Sequence, residues 1–199
     1  MKFKPHKYQE QVLQKMMAQD RLALLLDPGM GKTAICLEDF VRRRELMVAK
    51  RALVVGPLRV CHSTWPTEAK KWSTFSDLKV HVAHGKGKVL ETVNSAEVVV
   101  INPEGLEWLV QNDKHLYGFD VIYVDESTLF KNSQSKRAKM LYKVVHKMKG
   151  GIPFRFILTG TPAPNGVENL FGQFKILDPE ILGSTLGKFR GDHYFHAQR

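Results

Sequence analysis

The sequence predicts an α/β domain: a parallel sheet with helices on both faces. Three observations support this. Short, wholly apolar runs recur along the chain. Such runs suit strands buried on both sides. Between them lie stretches whose apolar residues fall at helical spacing, and this alternation is the signature of a layered α/β fold. Four of the runs stop at polar or glycine-rich punctuation: DPGMGKT, GPLR, DES and TGTP. In open parallel sheets ligands bind outside the carboxyl ends of the strands, so these four stops would gather on one edge.

Taken in order, residues 8–19 read as a helix with Val12, Leu13, Met16 and Met17 on one side. Leu22 to Leu26 reads as a buried strand that ends at Asp27-Pro28. A helix follows to about Val48, its apolar face carrying Ile35, Leu37, Phe40 and Val41. Arg42-Arg43-Arg44 near its end complement the helix dipole and predict a solvated basic face. Ala52 to Val55 is a second buried strand, stopped by Gly56-Pro57. Residues 59–72 look helical, with Pro66 restricting the middle. Leu78 to Val82 alternates like a strand, and a helix is expected over 87–95. Val98 to Ile101 is another apolar strand, stopped by Asn102-Pro103, and 104–112 reads as a short helix. Val121 to Val124 runs into Asp125-Glu126. Ser133 is placed to cap a strongly basic helix to about Lys149, where Gly150-Gly151 stop it. Phe154 to Leu158 is the last strand, and 167–177 the last clear helix. Residues 183–199 carry little pattern, so a domain over 1–182 and a C-terminal segment over 183–199 are expected.

The most informative stretch is LLLDPGMGKT, residues 24–33. Strand, glycine loop and helix with GKT at the junction is the phosphate-binding P-loop arrangement. Gly29, Met30 and Gly31 let the backbone fold around a phosphate, and unpaired N–H groups at the helix start donate to its oxygens. Pro28 has no N–H, so the donors begin at Gly29. Lys32 places a charge near the outer phosphates, and the Thr33 hydroxyl can hold Mg²⁺. The first glycine of the full pattern falls at Leu26. The alternative reading is an ordinary strand-turn-helix corner. A second strand end complements the first. A P-loop enzyme needs a carboxylate on a neighbouring strand for Mg²⁺, and Asp125 after four apolar residues fits that Walker B task. Glu126 beside it can orient and deprotonate an attacking water, a contribution of about 10²–10⁴-fold. Alone, the acidic pair reads equally as a turn or helix cap.

Composition narrows the class. The chain has 199 residues, 43% of them hydrophobic, enough for one globular domain with a full core. Thirty Lys and Arg against twenty Asp and Glu leave a formal charge of +10. That excess suits a polyanion, nucleic acid first and an anionic membrane surface second, although a generally basic protein would carry it too. Cys36 and Cys61 are too few for a disulfide or zinc framework, so a reducing, intracellular setting is expected. No apolar run approaches the ~20 residues of a membrane span, and no membrane partner is expected. The polar start MKFKPHKYQE has no signal-peptide core.

The ordered set of motifs resembles the first RecA-like lobe of a superfamily 2 helicase or translocase, most closely the Swi/Snf-type group. KYQ (7–9) resembles the N-terminal glutamine motif and DPGMGKT (27–33) motif I. LVVGPLRVCHSTWPTEAKKW (53–72) resembles motif Ia, HG (84–85) and VVVINPE (98–104) the next two elements, and VDESTLFKN (124–132) motif II. LTGTPAPN (158–165) is similar to motif III, and NLFGQFKILDP (169–179) to the apolar helix and Asp-Pro beyond it. The resemblance implies a RecA-like P-loop NTPase domain that uses ATP with Mg²⁺ and tracks double-stranded DNA. By position, Gln9 would read the adenine edge, Lys32 and Thr33 would hold phosphate and metal, and Asp125 and Glu126 would serve metal and water. Thr159 and Thr161 would link the nucleotide to the DNA track. Pro57, Leu58, Arg59, Gly85, Lys131 and Asn132 fall where the family contacts or approaches the nucleic-acid backbone. Gln9 reads equally as a surface residue, and Arg59 and Lys131 as ordinary surface charge. Thr128 stands where the family commonly has His. Trp65 and Trp72 read as core packing rather than base-stacking platforms.

Motors of this class act between two RecA-like lobes, the second supplying arginines to the transferred phosphoryl group. A second lobe outside these 199 residues is therefore expected, with weak nucleotide binding and slow hydrolysis by this lobe alone. The compact motifs suggest a small viral or bacterial version, hence a bacterial or phage-infected cytoplasm, or a nucleus if eukaryotic. Two other classes stand beside this reading: a nucleotide-gated DNA-binding module without turnover, and a P-loop phosphotransferase acting on a small molecule. A GTPase is disfavoured because no Asn-Lys-x-Asp element is present.

Overall fold

The computed structural model describes residues 1–194. Six parallel strands form one sheet in the order β1-β6-β5-β2-β4-β3. They are β1 (Arg21–Leu25), β2 (Ala52–Val55), β3 (Val80–Val82), β4 (Val98–Ile101), β5 (Val121–Asp125) and β6 (Phe154–Thr159). Helices α1 (Lys7–Ala18), α2 (Lys32–Glu45), α3 (Leu58–His62), α4 (Thr64–Lys71), α5 (Leu90–Ser95), α6 (Leu106–Gln111), α7 (Lys136–His146), α8 (Glu168–Leu177) and α9 (Leu186–Tyr194) connect and follow them.

The strand side chains divide between the two faces, as period two requires. Val54, Tyr123 and Phe156 join Leu13, Phe40 and Trp65 in one core under α1, α2 and α4. Leu53, Ile122 and Ile157 join Leu106, Leu141 and Ile176 in the other, under α6, α7 and α8. The predicted parallel sheet with helices on both faces is thus observed. Burial of each such large side chain contributes about 1.5–3 kcal/mol, so both layers are held firmly behind the strand ends.

Several local expectations change. The predicted 59–72 helix is broken at Ser63 into α3 and α4. Pro66 is not in a helix middle: it falls in the first turn of α4, where its missing N–H has no intrahelical partner to lose. Ser135, not Ser133, caps α7, its Oγ accepting from the Ala138 N–H at 3.3 Å, and Ser133 is buried instead. The helix stops at His146 and a separate 3-10 turn covers Met148–Gly150. The predicted 87–95 helix begins only at Leu90, after a 3-10 turn over Gly85–Gly87. Strand β1 lies at the sheet edge, so only Leu24 of its five residues is buried and Leu25 is 49% exposed.

The arginine triplet is the largest correction. Arg43 is 2% exposed and its guanidinium is paired with Asp39 at 3.0 Å, while also donating to the Met16 carbonyl. Arg42 grips Glu10 through two bonds, at 2.9 and 2.8 Å, and Arg44 pairs with Glu97 at 2.9 Å. The dipole argument located the charges correctly but could not see that packing buries Arg43 and that Glu10 and Glu97 hold the half-buried Arg42 and Arg44. In the segment expected to be unpatterned, α9 places Phe189 against Phe171, ring centroids 5.8 Å apart. The last five residues of that segment lie outside the described residues.

Candidate active site

The register of β1, β6 and β5 sets the site. Leu25 pairs with Thr159, and Leu158 pairs with Asp125. The P-loop, the TGTP loop and the Asp125-Glu126 pair therefore leave the sheet side by side on its carboxyl edge. The GPLR loop leaves β2, which neighbours β5, on the same edge.

The loop after β1 turns twice through left-handed backbone, at Gly29 (φ 84°) and Gly31 (φ 70°), which glycine adopts without cost. A Cβ at Gly31 would also lie 2.6 Å from the Gln9 amide nitrogen. Helix α2 starts at Lys32 with no side-chain cap and no acidic residue in its first turn. Its first N–H groups are therefore left without a side-chain partner at the positive end of the helix dipole. The Lys32 ammonium folds back to donate to the carbonyls of Leu26 (2.7 Å) and Asp27 (3.0 Å). Met30 and Thr33 are half-buried beside it.

Gln9 is buried rather than on the surface. Its Oε1 accepts from the His6 N–H at 2.9 Å, and its Nε2 donates to the Met30 carbonyl at 3.3 Å. Tyr8 donates to the same carbonyl at 3.1 Å. Helix α1 is thereby tied to the P-loop.

Asp125 is 7% exposed and both of its oxygens accept hydrogen bonds: Oδ2 from the Trp65 indole N–H and Oδ1 from the Glu126 N–H, each at 3.0 Å. Burial raises its pKa above the usual carboxylate value, against the Trp65 and Glu126 bonds and the Lys32 charge. Glu126 sits in left-handed backbone (φ 50°, ψ 57°), a conformation that costs a non-glycine residue free energy. Its pKa is raised by burial first and by the neighbouring Asp125 charge second, with Lys32 opposing. The result is a more basic carboxylate beside a cationic loop.

Thr159 is fully buried and its Oγ1 accepts from the Thr161 N–H at 3.1 Å, while Thr161 itself is exposed. Gly160 comes so close to the P-loop that a Cβ there would lie 2.9 Å from the Pro28 ring. Pro57 is half-buried, Leu58, Arg59, Gly85 and Asn132 are exposed, and Lys131 is half-buried. Pro57 caps the start of α3, Gly85 turns at φ 54°, and Lys131 and Asn132 follow the 3-10 turn after Asp125-Glu126.

Two site residues were not legible as such. Trp65 is core, as expected, yet it also orients Asp125; a buried indole needs an acceptor, and that rule was the available signal. Gln173 on α8 is 1% exposed and bonded to both Ser127 and Pro162. Nothing in the periodicity of α8 singled it out.

The sheet order and the strand-end loops define a RecA-like α/β fold of the kind found in SWI2/SNF2 ATPase cores. That core from Sulfolobus solfataricus, solved in complex with dsDNA, superposes with a TM-score of 0.82 at 23% identity, over 96% of this chain and 39% of that one. Residues 8–198 match the family model of the SNF2-related domain, and the chain belongs to that family. The p41 protein of Acyrthosiphon pisum secondary endosymbiont phage 1 is 35% identical over 200 residues, which span 94% of this chain and 42% of the relative. The DNA repair and recombination protein RAD54B of Homo sapiens is 29% identical over 172 residues, 81% of this chain and 18% of the relative. The chain thus spans less than half the length of these relatives. Among the described residues, no helix is long and apolar enough to cross a membrane.

Proposed function

We propose that this chain is the ATP-binding lobe of a DNA-dependent ATPase that translocates on double-stranded DNA. It would act with a second RecA-like lobe contributed from outside these 199 residues. The observation that carries the reading is the uncapped start of α2, with Lys32, set on the same sheet edge as the buried Asp125 and the basic Glu126.

The chemistry follows from these residues. The N–H groups of Gly29 to Thr33 and the Lys32 ammonium take the phosphates, and Lys32 exchanges the Leu26 and Asp27 carbonyls for phosphate oxygens. The Thr33 hydroxyl and Asp125 fit Mg²⁺, which typically takes one or two protein oxygens and keeps phosphate and water for the rest. When bound, Mg²⁺ neutralises charge developing on the transferred phosphoryl group. Trp65 holds the Asp125 carboxylate in one orientation. Glu126, made more basic by burial and by Asp125, orients the water and accepts its proton. Gln9 would select adenine once it releases Met30. Phosphate oxygens of DNA would meet Arg59, Lys131 and the backbone at Pro57, Leu58, Gly85 and Asn132. Such contacts grip without reading bases, as a translocase requires.

The test is turnover in the complete protein, with and without double-stranded DNA. ATP hydrolysis should be stimulated by DNA and abolished by Lys32→Ala. Turnover that survives Lys32→Ala would remove the P-loop assignment. Full DNA-stimulated rates from this lobe alone would remove the need for a partner lobe. DNA binding that responds to nucleotide without any turnover would favour a gated binding module.

A further inference from the structure

We infer that Gln173 is a positioning residue that couples the Asp125-Glu126 strand end to the Thr159–Pro162 loop, so that DNA engagement and nucleotide turnover are linked through α8. The inference rests on the DNA-stimulated ATPase reading above, and adds to it a residue outside its nucleotide and DNA-contact sets.

The geometry is a closed bridge. Gln173 is buried, both of its amide hydrogens are donated and its amide oxygen accepts a hydrogen bond. Oε1 accepts from the Ser127 hydroxyl at 2.7 Å. Nε2 donates to the Pro162 carbonyl at 2.6 Å and to the Asn169 carbonyl, one turn back on α8, at 2.7 Å. Ser127 directly follows Glu126, the second carboxylate of the pair. Pro162 directly follows Thr161, and the same loop abuts the P-loop through Gly160 and Pro28. Ser127 is itself fully buried. Gln173 therefore gives the segment leading to Lys131 and Asn132 a side-chain link to the Thr159–Pro162 loop, beside the backbone pairing of β5 with β6.

A buried amide can also serve packing alone, since replacing both partners of a buried hydrogen bond with apolar groups is often nearly neutral for stability. The two roles separate because the arms can be cut one at a time. Ser127→Ala cuts the first arm and leaves the Pro162 bond. Gln173→Glu, above the pKa of the new carboxyl, keeps an acceptor for Ser127 but has no donor for Pro162. Gln173→Leu cuts both.

The experiment uses the complete protein and two readouts. In steady-state ATPase assays with double-stranded DNA, Gln173→Leu should leave KM for ATP within about threefold and lower kcat by about tenfold, the combined effect of two net hydrogen bonds. Each single-arm variant should fall between, and Ser127→Ala combined with Gln173→Leu should be no worse than Gln173→Leu. In hydrogen exchange, Ser127→Ala should speed exchange of the Thr161, Ala163 and Asn165 amides, although Ser127 itself bonds to none of them. A kcat unchanged by Gln173→Leu, a KM that rises in step with lost thermal stability, or exchange unaltered by Ser127→Ala would each overturn the inference. Absence of DNA-stimulated turnover in the parent protein would instead remove the functional reading, and the exchange measurement would still decide whether the bridge couples the two segments.

Discussion

Replacing Arg43 with methionine tests how the structure treats a residue that the sequence alone places in water. The guanidinium is 2% exposed and Asp39 is fully buried. Arg43 Nε reaches both Asp39 oxygens at 3.1 and 3.0 Å, Nη2 donates to the Met16 carbonyl at 2.5 Å, and the group stacks over Phe154, 4.1 Å from the ring centroid. Tyr123 donates to Asp39 at 2.6 Å and would remain. Removing one partner of such a buried pair costs about 3–5 kcal/mol, a large part of a typical total of about 5–15 kcal/mol. Arg44→Met, which breaks a half-exposed pair with Glu97, should cost less than about 1 kcal/mol. The pH dependence has a definite sign. Burial already raises the Asp39 pKa, while the Arg43 charge and bonds and the Tyr123 bond lower it. Losing Arg43 pushes it further up. A carboxyl whose folded pKa exceeds its unfolded value favours the folded state only below that range, and the advantage is lost as pH rises through the folded pKa. The deficit of Arg43→Met should therefore widen as pH rises above the ordinary carboxylate range in urea unfolding. Adding Asp39→Asn should restore part of the loss and flatten this dependence. A loss below about 1 kcal/mol, as for an exposed pair, with no widening at higher pH, would refute the buried-pair reasoning.

Trp65→Phe keeps the ring near Tyr123 but removes the donor to Asp125, and hydrogen bonds to charged groups are worth about 1.5–3 kcal/mol. Binding of Mg²⁺-nucleotide should weaken by about tenfold in a titration; affinity equal to the parent would leave Trp65 a packing residue only. Glu126→Gln should retain nucleotide binding and slow turnover in the complete protein by about 10²–10⁴-fold, and an unchanged rate would exclude Glu126 as the base. Arg59→Ala and Lys131→Ala should each reduce the slope of log affinity for DNA against log salt by about one. A slope that stays constant in both would move the DNA track elsewhere.

Legibility followed the range of the interaction. The parallel sheet was readable because β2, β4 and β5 are buried on both faces and so carry unbroken apolar runs. The P-loop was readable because glycine, lysine and threonine must stand at fixed spacing within one loop. Strand β1 misled slightly: its leucines read as buried, but an edge position leaves Leu25 exposed. The α3–α4 break at Ser63 and the shift of the α7 cap from Ser133 to Ser135 depend on how the neighbouring elements pack. The burial of Arg43 depends on Asp39 one turn away, but also on Met16, Tyr123 and Phe154, far from it in sequence.

The sequence by itself determined the alternation of strands and helices, the glycine loop before α2, and the acidic pair at the end of β5, because each depends on residues close together in the chain. Tertiary structure alone decided the sheet order, which sets Thr159 between Leu25 and the Asp125 strand. It also decided that Trp65 reaches Asp125 from 60 residues away and that Gln173 joins Ser127 to Pro162. The physical reason is that a buried polar group must find a partner wherever the packed layers bring one, and that partner's place in the chain leaves no local periodicity to read.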